Sequence, residues 1–246
     1  MLIKRKQLPS FIRLEKKFDI SDLVEKCQKY GLLDFSKYND IRLDSNSDFV
    51  DLVKANSLLV SAHFKDHDEE DMNSDKYRHL YLTGLHQSIQ ATEKDSQTKR
   101  SDRLKRISPG SSVYTPQVDE LNYGKRIPVD HGIFDEVLNF FDGKVCRVRL
   151  AVMRPKFKII PHIDYDPSYI SRFHLPLITN KLCSMHVIRN TAGLKVEEKT
   201  YFEPSGHLYF LNTGFKHWAE NNSDQDRLHL IIDVHGQKEL ESSVLQ

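Results

Sequence analysis

Two histidines and an aspartate, His162, Asp164 and His217, are the residues of this 246-residue chain best suited to chemistry, and Arg227 follows ten positions after the second histidine. Two imidazoles and one carboxylate form the facial set on which non-haem Fe(II) oxygenases hold their metal, with positions left open for a cosubstrate and O₂. An arginine offers a planar, permanently charged fork that matches a carboxylate, so Arg227 would clamp the cosubstrate. On a strand, residues i and i+2 project from one face about 6.6 Å apart. His162 and Asp164 could therefore converge on one ion at a strand end, where Pro161 is tolerated because it removes a ladder donor. By itself such a pair is as readily a surface histidine beside a solvated acid.

The elements that must position these residues lie in the second half of the chain. From Val145 the period of apolar residues becomes two, and VCRVRLAVM, RFHLPLI, SMHVIRN, KVEEKTYFE, GHLYFLN and RLHLIIDV read as strands. The segments between them, DYDPS, ITN, NTAG, EPSG and NTG, are turn sequences. Short strands with turns and no helical insertions point to an antiparallel sandwich or barrel. In RFHLPLI, Arg172 and His174 share one face, opposite Phe173, Leu175 and Leu177. In RLHLIIDV, Arg227, His229, Ile231 and Asp233 lie opposite Leu228, Leu230, Ile232 and Val234. Solvent on that polar face would explain one such strand more readily than two.

Upstream, Asp19 or Ser21 caps a predicted helix through LVEKCQKYG that Gly31 stops. IFDEVLNFFDGK (133–144) reads as an amphipathic helix with Gly143 as its end. FVDLVKANSLLVSAHF (49–64) fits either helix or strand. Residues 65–127 alternate acidic and basic runs before a turn-rich SPGSS, which suits a solvated loop or a lid over a pocket. As a lid, that stretch would offer Tyr114, Tyr123 and Arg126 as substrate contacts; Trp218, after the distal histidine, would be core or a pocket wall in contact with substrate.

Composition excludes more than it selects. Thirty-six basic against 35 acidic residues leave a net charge of +1, without the basic excess that nucleic-acid binders show. Cys27, Cys146 and Cys183 are widely spaced and form neither a disulfide framework nor a zinc ribbon, which fits a reducing cytoplasm. No apolar run approaches the ~20 residues of a membrane span, and the basic N-terminus lacks the apolar core of a secretory signal. A P-loop, a dinucleotide fingerprint and a G-x-S-x-G elbow are all missing from the sequence.

Four segments occur in a telling order: PHID (161–164), RFHLPLITN (172–180), GHLYFLN (206–212), and HWAENNS (217–223) followed by RLHLIIDV (227–234). In these the chain resembles the aspartyl/asparaginyl β-hydroxylase family of Fe(II)- and 2-oxoglutarate-dependent dioxygenases, over residues 145–235. The resemblance implies an α+β, mainly β fold: a double-stranded β-helix, or jelly-roll/cupin-like barrel, buttressed by N-terminal helices. The chain then divides into an N-terminal helical and loop region (1–143), a catalytic core (144–238) and a tail (239–246). It also implies His162, Asp164 and His217 as iron ligands and Arg227 on one carboxylate of 2-oxoglutarate. Arg172 and His174 would hold its other end or help to close the pocket. Asp164 stands where related halogenases carry a small residue, which favours hydroxylation. Ala151 stands where some members have a serine, so Arg147 or Arg149 must compensate.

The expected activity is hydroxylation of an unactivated C–H of a small amino-acid-like substrate, with O₂ consumed, succinate and CO₂ released and ascorbate stimulatory. The expected enzyme is cytoplasmic and engages neither nucleic acid nor membrane. A peptidyl Asp/Asn hydroxylase is the first alternative, a non-catalytic metal-binding barrel the second. A zinc hydrolase on the same triad is disfavoured because no separate general base stands near the motif.

Overall fold

The computed structural model describes residues 2–37, 77–84, 124–126, 130–191 and 193–243. The 49–64 segment, most of 65–127, and Tyr114 and Tyr123 lie outside these residues.

The alternating segments form the strands they predict. β1 (Phe11–Lys17), β2 (Tyr77–Tyr81), β5 (Lys144–Met153), β7 (Ser171–Ile178), β10 (His207–Leu211) and β12 (Arg227–His235) build a six-stranded antiparallel sheet in the order β1-β10-β7-β12-β5-β2. β6 (Phe157–Lys158), β8 (Cys183–Thr191), β9 (Leu194–Thr200) and β11 (Lys216–Asn221) form a second sheet, ordered β6-β11-β8-β9. A short ribbon pairs β3 (Thr83–Gly84) with β4 (Lys125–Arg126). Met153, Tyr209 and Leu211 from the first sheet pack with Met185, Val187 and Ala219 from the second, so the two sheets close face to face as a jelly-roll barrel. This is the mainly β architecture that the sequence implies.

The other face of the large sheet carries the main core. Leu150, Phe173, Leu175, Leu228, Leu230, Ile232 and Val234 bury there against Leu23 and Cys27 of α1 (Ile20–Lys29) and against the 133–141 segment. Asp19 caps α1 by accepting a hydrogen bond from the Asp22 amide at 3.1 Å, and Gly31, at φ 73°, stops it.

Three local expectations need correction. The 133–144 segment is helical only in α2 (Asp135–Leu138), although Ile133, Phe134, Val137, Leu138 and Phe141 all bury as helical spacing requires. Gly143 is not the stop of that helix. It lies where a Cβ would come 2.9 Å from the Gly236 Cα, so a backbone crossing explains it. Upstream of 144 the chain supplies strands as well as a helix, since β1 and β2 form the two edges of the large sheet. β11 escaped the strand pattern because its inward residue His217 is polar and its outward residue Trp218 is apolar, which inverts the usual alternation.

All three cysteines are buried, and none is in a disulfide. Burial, helped by Asp130 nearby, pushes the Cys27 thiol up to about 12. Among the described residues no helix is long and apolar enough to cross a membrane.

Gly206, at φ 88°, joins β10 to the end of β1: its carbonyl accepts from the Phe18 amide at 2.9 Å, and an added Cβ would fall 2.2 Å from the Phe18 carbonyl oxygen. Gly206→Ala should therefore cost about 2 kcal/mol or more of stability, read as a lowered urea midpoint at unchanged slope. An unchanged midpoint would show that this contact does not hold the edge of the sheet.

Candidate metal centre

His162 and His217 meet through their backbones before their side chains meet. Each amide donates to the other's carbonyl, at 3.0 and 2.8 Å, in an isolated antiparallel bridge. The Asp164 amide donates to the Thr213 carbonyl at 3.0 Å, which fixes the carboxylate beside them. The Nδ1 of His162 donates to the Ile160 carbonyl at 2.7 Å, and that of His217 donates to the Phe215 carbonyl at 3.0 Å. A carbonyl can only accept, so both rings carry their proton on Nδ1 and turn a bare Nε2 lone pair inward.

Both Nε2 atoms lie 3.7 Å from Asp164 Oδ2, and the three ligand atoms are within 4.8 Å of one another. Donors about 2.1 Å from a shared ion are at most about 4.2 Å apart, so the 3.7 Å spacings suit a metal. Burial, reinforced by His162, lowers His217 to about 3, so this imidazole is neutral and ready to ligate across the physiological range.

Next to the triad lies a second set of buried groups. Arg227 is 2% exposed, and its Nη1 touches the sulfurs of Met153 at 3.8 Å and Met185 at 3.6 Å. Both thioethers line the barrel interior with Ala219, two residues beyond His217 on β11. Arg227 Nη2 donates to His229 Nδ1 at 3.2 Å. That nitrogen must therefore accept, so the 3.3 Å contact with His174 Nδ1 has His174 as donor. His229 is left with a proton on Nε2 and His174 with a bare Nε2, and neither of these buried atoms has a hydrogen-bond partner. Burial first, then the Arg227 charge, holds both imidazoles well below their ordinary pKa. A buried guanidinium and an orphaned N–H at His229 Nε2 are donors suited to a carboxylate.

Arg172 takes a different place from His174. Its Nε and Nη2 donate to the two oxygens of Asp233 at 2.7 and 3.1 Å, and its Nη1 donates to Asp164 Oδ2. Arg149 Nη1 donates to Asp233 at 3.0 Å, so this arginine, one of the two expected to compensate for Ala151, pairs with a carboxylate of the chain itself. Arg126 is held by Asp130 and Asp135 at 2.6 and 3.0 Å. Trp218 stacks on His186 with ring centroids 4.7 Å apart and donates to Glu220, and the structure does not bring it to the triad. Strand alternation turns it to the face opposite His217. Asp233 and His229 carry no functional role in the sequence analysis, although strand parity sets both on the face of Arg227.

Two antiparallel sheets closed around two imidazoles and a carboxylate define a jelly-roll protein with a site that could hold a metal ion. The family model of the aspartyl/asparaginyl β-hydroxylases matches residues 63–236. The chain belongs to this family, and it is an enzyme, a hydroxylase. Its structure is similar to that of a 2OG-Fe(II) oxygenase family oxidoreductase from Burkholderia pseudomallei, at 10% identity, with 65% of this chain and 66% of that one covered and a TM-score of 0.37. It is also similar to a cupin domain from Bordetella pertussis Tohama I, at 17% identity over 39% of this chain and 88% of that one, with a TM-score of 0.27. A third likeness is to a capsular polysaccharide assembling protein of Staphylococcus aureus, at 13% identity and a TM-score of 0.28. It covers 37% of this chain, which spans 23% of that protein's length.

The neutral histidines have a consequence for stability. The unfolded chain takes up protons at His174 and His229 below the ordinary imidazole value of about 6.5, while the folded chain does so only at much lower pH. Folding stability is thus unaffected above that value and falls as pH drops below it, by up to about 1.4 kcal/mol per pH unit for each buried histidine. Urea unfolding between pH 7 and 5 should show this loss, and His229→Gln should flatten the slope by up to one proton. Equal slopes in the two proteins would contradict the neutral assignment.

Proposed function

We propose that His162, Asp164 and His217 hold Fe(II) and that the chain hydroxylates a small amino-acid-like substrate with 2-oxoglutarate as cosubstrate. The observation that carries this reading is the convergence of two inward Nε2 lone pairs and one carboxylate oxygen within 4.8 Å. Imidazole and carboxylate donors with room beside them suit Fe(II). Bound there, Fe(II) with 2-oxoglutarate and O₂ would supply the oxidising power to hydroxylate an unactivated C–H, with succinate and CO₂ as by-products.

The chain's own groups have distinct tasks in this reading. Arg227 pairs with a carboxylate of 2-oxoglutarate, and the N–H at His229 Nε2 adds a second donor to the same anion. His174 keeps His229 in the tautomer that provides this donor. Met153, Met185 and Phe202 wall the interior with apolar surface that excludes water and strengthens the ion pair. Ile163, 43% exposed between two of the ligands, marks the side from which substrate reaches the metal. Arg172, whose guanidinium already serves two carboxylates, is less suited to the cosubstrate than Arg227. The setting we propose is the cytoplasm, with no nucleic-acid or membrane partner. Residues 144–238 would form the catalytic core, with 1–143 packed on it.

The test is succinate release from 2-oxoglutarate in air with Fe(II) and ascorbate, across free amino acids and short Asp- or Asn-containing peptides. A mass gain of one oxygen on a free amino acid supports the reading, whereas a gain only on peptides moves it to the peptidyl alternative. No turnover with any of them, at full metal loading, favours a non-catalytic metal-binding barrel. Asp164→Ala should lower succinate formation by about 100-fold or more. Arg227→Lys, which keeps the charge but loses the fork, should raise the 2-oxoglutarate KM about tenfold with a smaller change in kcat.

A further inference from the structure

We infer that Asp233 and Arg149 are positioning residues of the metal centre: they clamp Arg172, and Arg172 orients the Asp164 carboxylate toward the two histidines. The inference rests on the proposed metal site and adds a layer to it. Asp233 lies opposite Arg172 in the β12–β7 register, and its carboxylate takes the Nε–Nη2 edge of the guanidinium in a two-point contact of 2.7 and 3.1 Å. That edge fixes the plane and rotation of the guanidinium, because two parallel hydrogen bonds leave it no free torsion. The remaining nitrogen, Nη1, is thereby aimed at Asp164 Oδ2, the same oxygen that lies 3.7 Å from both imidazole Nε2 atoms.

Arg149 completes the arrangement from the other flanking strand. Its Nη1 donates to Asp233 Oδ2 at 3.0 Å, so Asp233 is held by strands β5 and β7 on either side of its own. All four side chains are buried: Asp233 is 0% exposed, Arg149 4%, Asp164 5% and Arg172 9%. Two arginines alternate with two aspartates along the chain of direct contacts, and the charge of Arg147 adds to the field on Asp233 and Arg172. A lone Asp233 would be a costly buried charge, and a lone Arg172 would be free to swing away from the ligand. Neither Asp233 nor Arg149 is among the triad's ligand atoms, so both would act on a metal through Arg172 and Asp164 alone.

The test is Co(II) titration of the purified full chain, followed by calorimetry and by the visible absorption of the bound ion, in a double-mutant cycle. The wild type should bind one Co(II). Asp233→Asn should weaken this about 10- to 100-fold and alter the absorption band, with partial recovery in Asp233→Glu. In an Asp164→Ala background, which leaves the two histidines, Asp233→Asn should have almost no further effect. An equal loss in both backgrounds would overturn the inference, since a general effect on folding or charge does not need Asp164. Unchanged affinity in Asp233→Asn would also overturn it while leaving the metal site standing. If the wild type binds no Co(II), the metal reading fails and the positioning role with it. Should Asp233→Asn not fold, Arg149→Gln carries the same cycle, with a smaller expected loss and the same two overturning results.

Discussion

The reciprocal backbone hydrogen bonds between His162 and His217 tie together two regions of the chain that nothing local would bring into contact. One lies in the loop after β6, the other on β11 of the second sheet. The bridge sets the two imidazoles at a centroid distance of 4.4 Å, and each ring then rotates until its Nδ1 finds the carbonyl two residues before it. Neutral tautomers with inward lone pairs follow from that geometry.

The large sheet does two jobs at once because its strands are two-sided. One face of β7 and β12 is a wall of aliphatics packed on α1 and the 133–141 segment. The opposite face carries Arg172, His174, Arg227, His229 and Asp233, and it is as buried as the first. Burying that many charged and titratable groups is unfavourable unless they satisfy one another. They divide the work: the acidic end neutralises Arg172 and Arg149, while the histidine end stays uncharged beside Arg227. A polar interior of this kind stabilises the fold less than an aliphatic one would, and its retention is a mark of function.

Much of this was legible in the sequence through period-two spacing alone. Parity put Arg172 with His174, and Arg227 with His229 and Asp233, on one face of their strands. It did not reveal whether that face met solvent or the interior, since a second sheet had to close over it. The contact of Asp233 with Arg172 depends on the register of β12 against β7, which neither strand encodes by itself. β11 was hidden because His217 occupies an inward position that usually holds an aliphatic residue. Gly143 was misread as a helix stop because a glycine demanded by a backbone crossing looks the same in sequence as one demanded by a left-handed turn.

The burial of the sulfhydryl groups bears on how the protein meets oxidants. Thiolates, not thiols, are the nucleophiles that attack peroxide. Cys27 keeps its proton to about 12, and Cys146 and Cys183 are shut away from solvent as well. Stray oxidants formed near the site would meet no exposed nucleophilic sulfur on the described surface. A maleimide dye would likewise need an engineered attachment point, which leaves the molecule a clean background for single-site spectroscopic labelling.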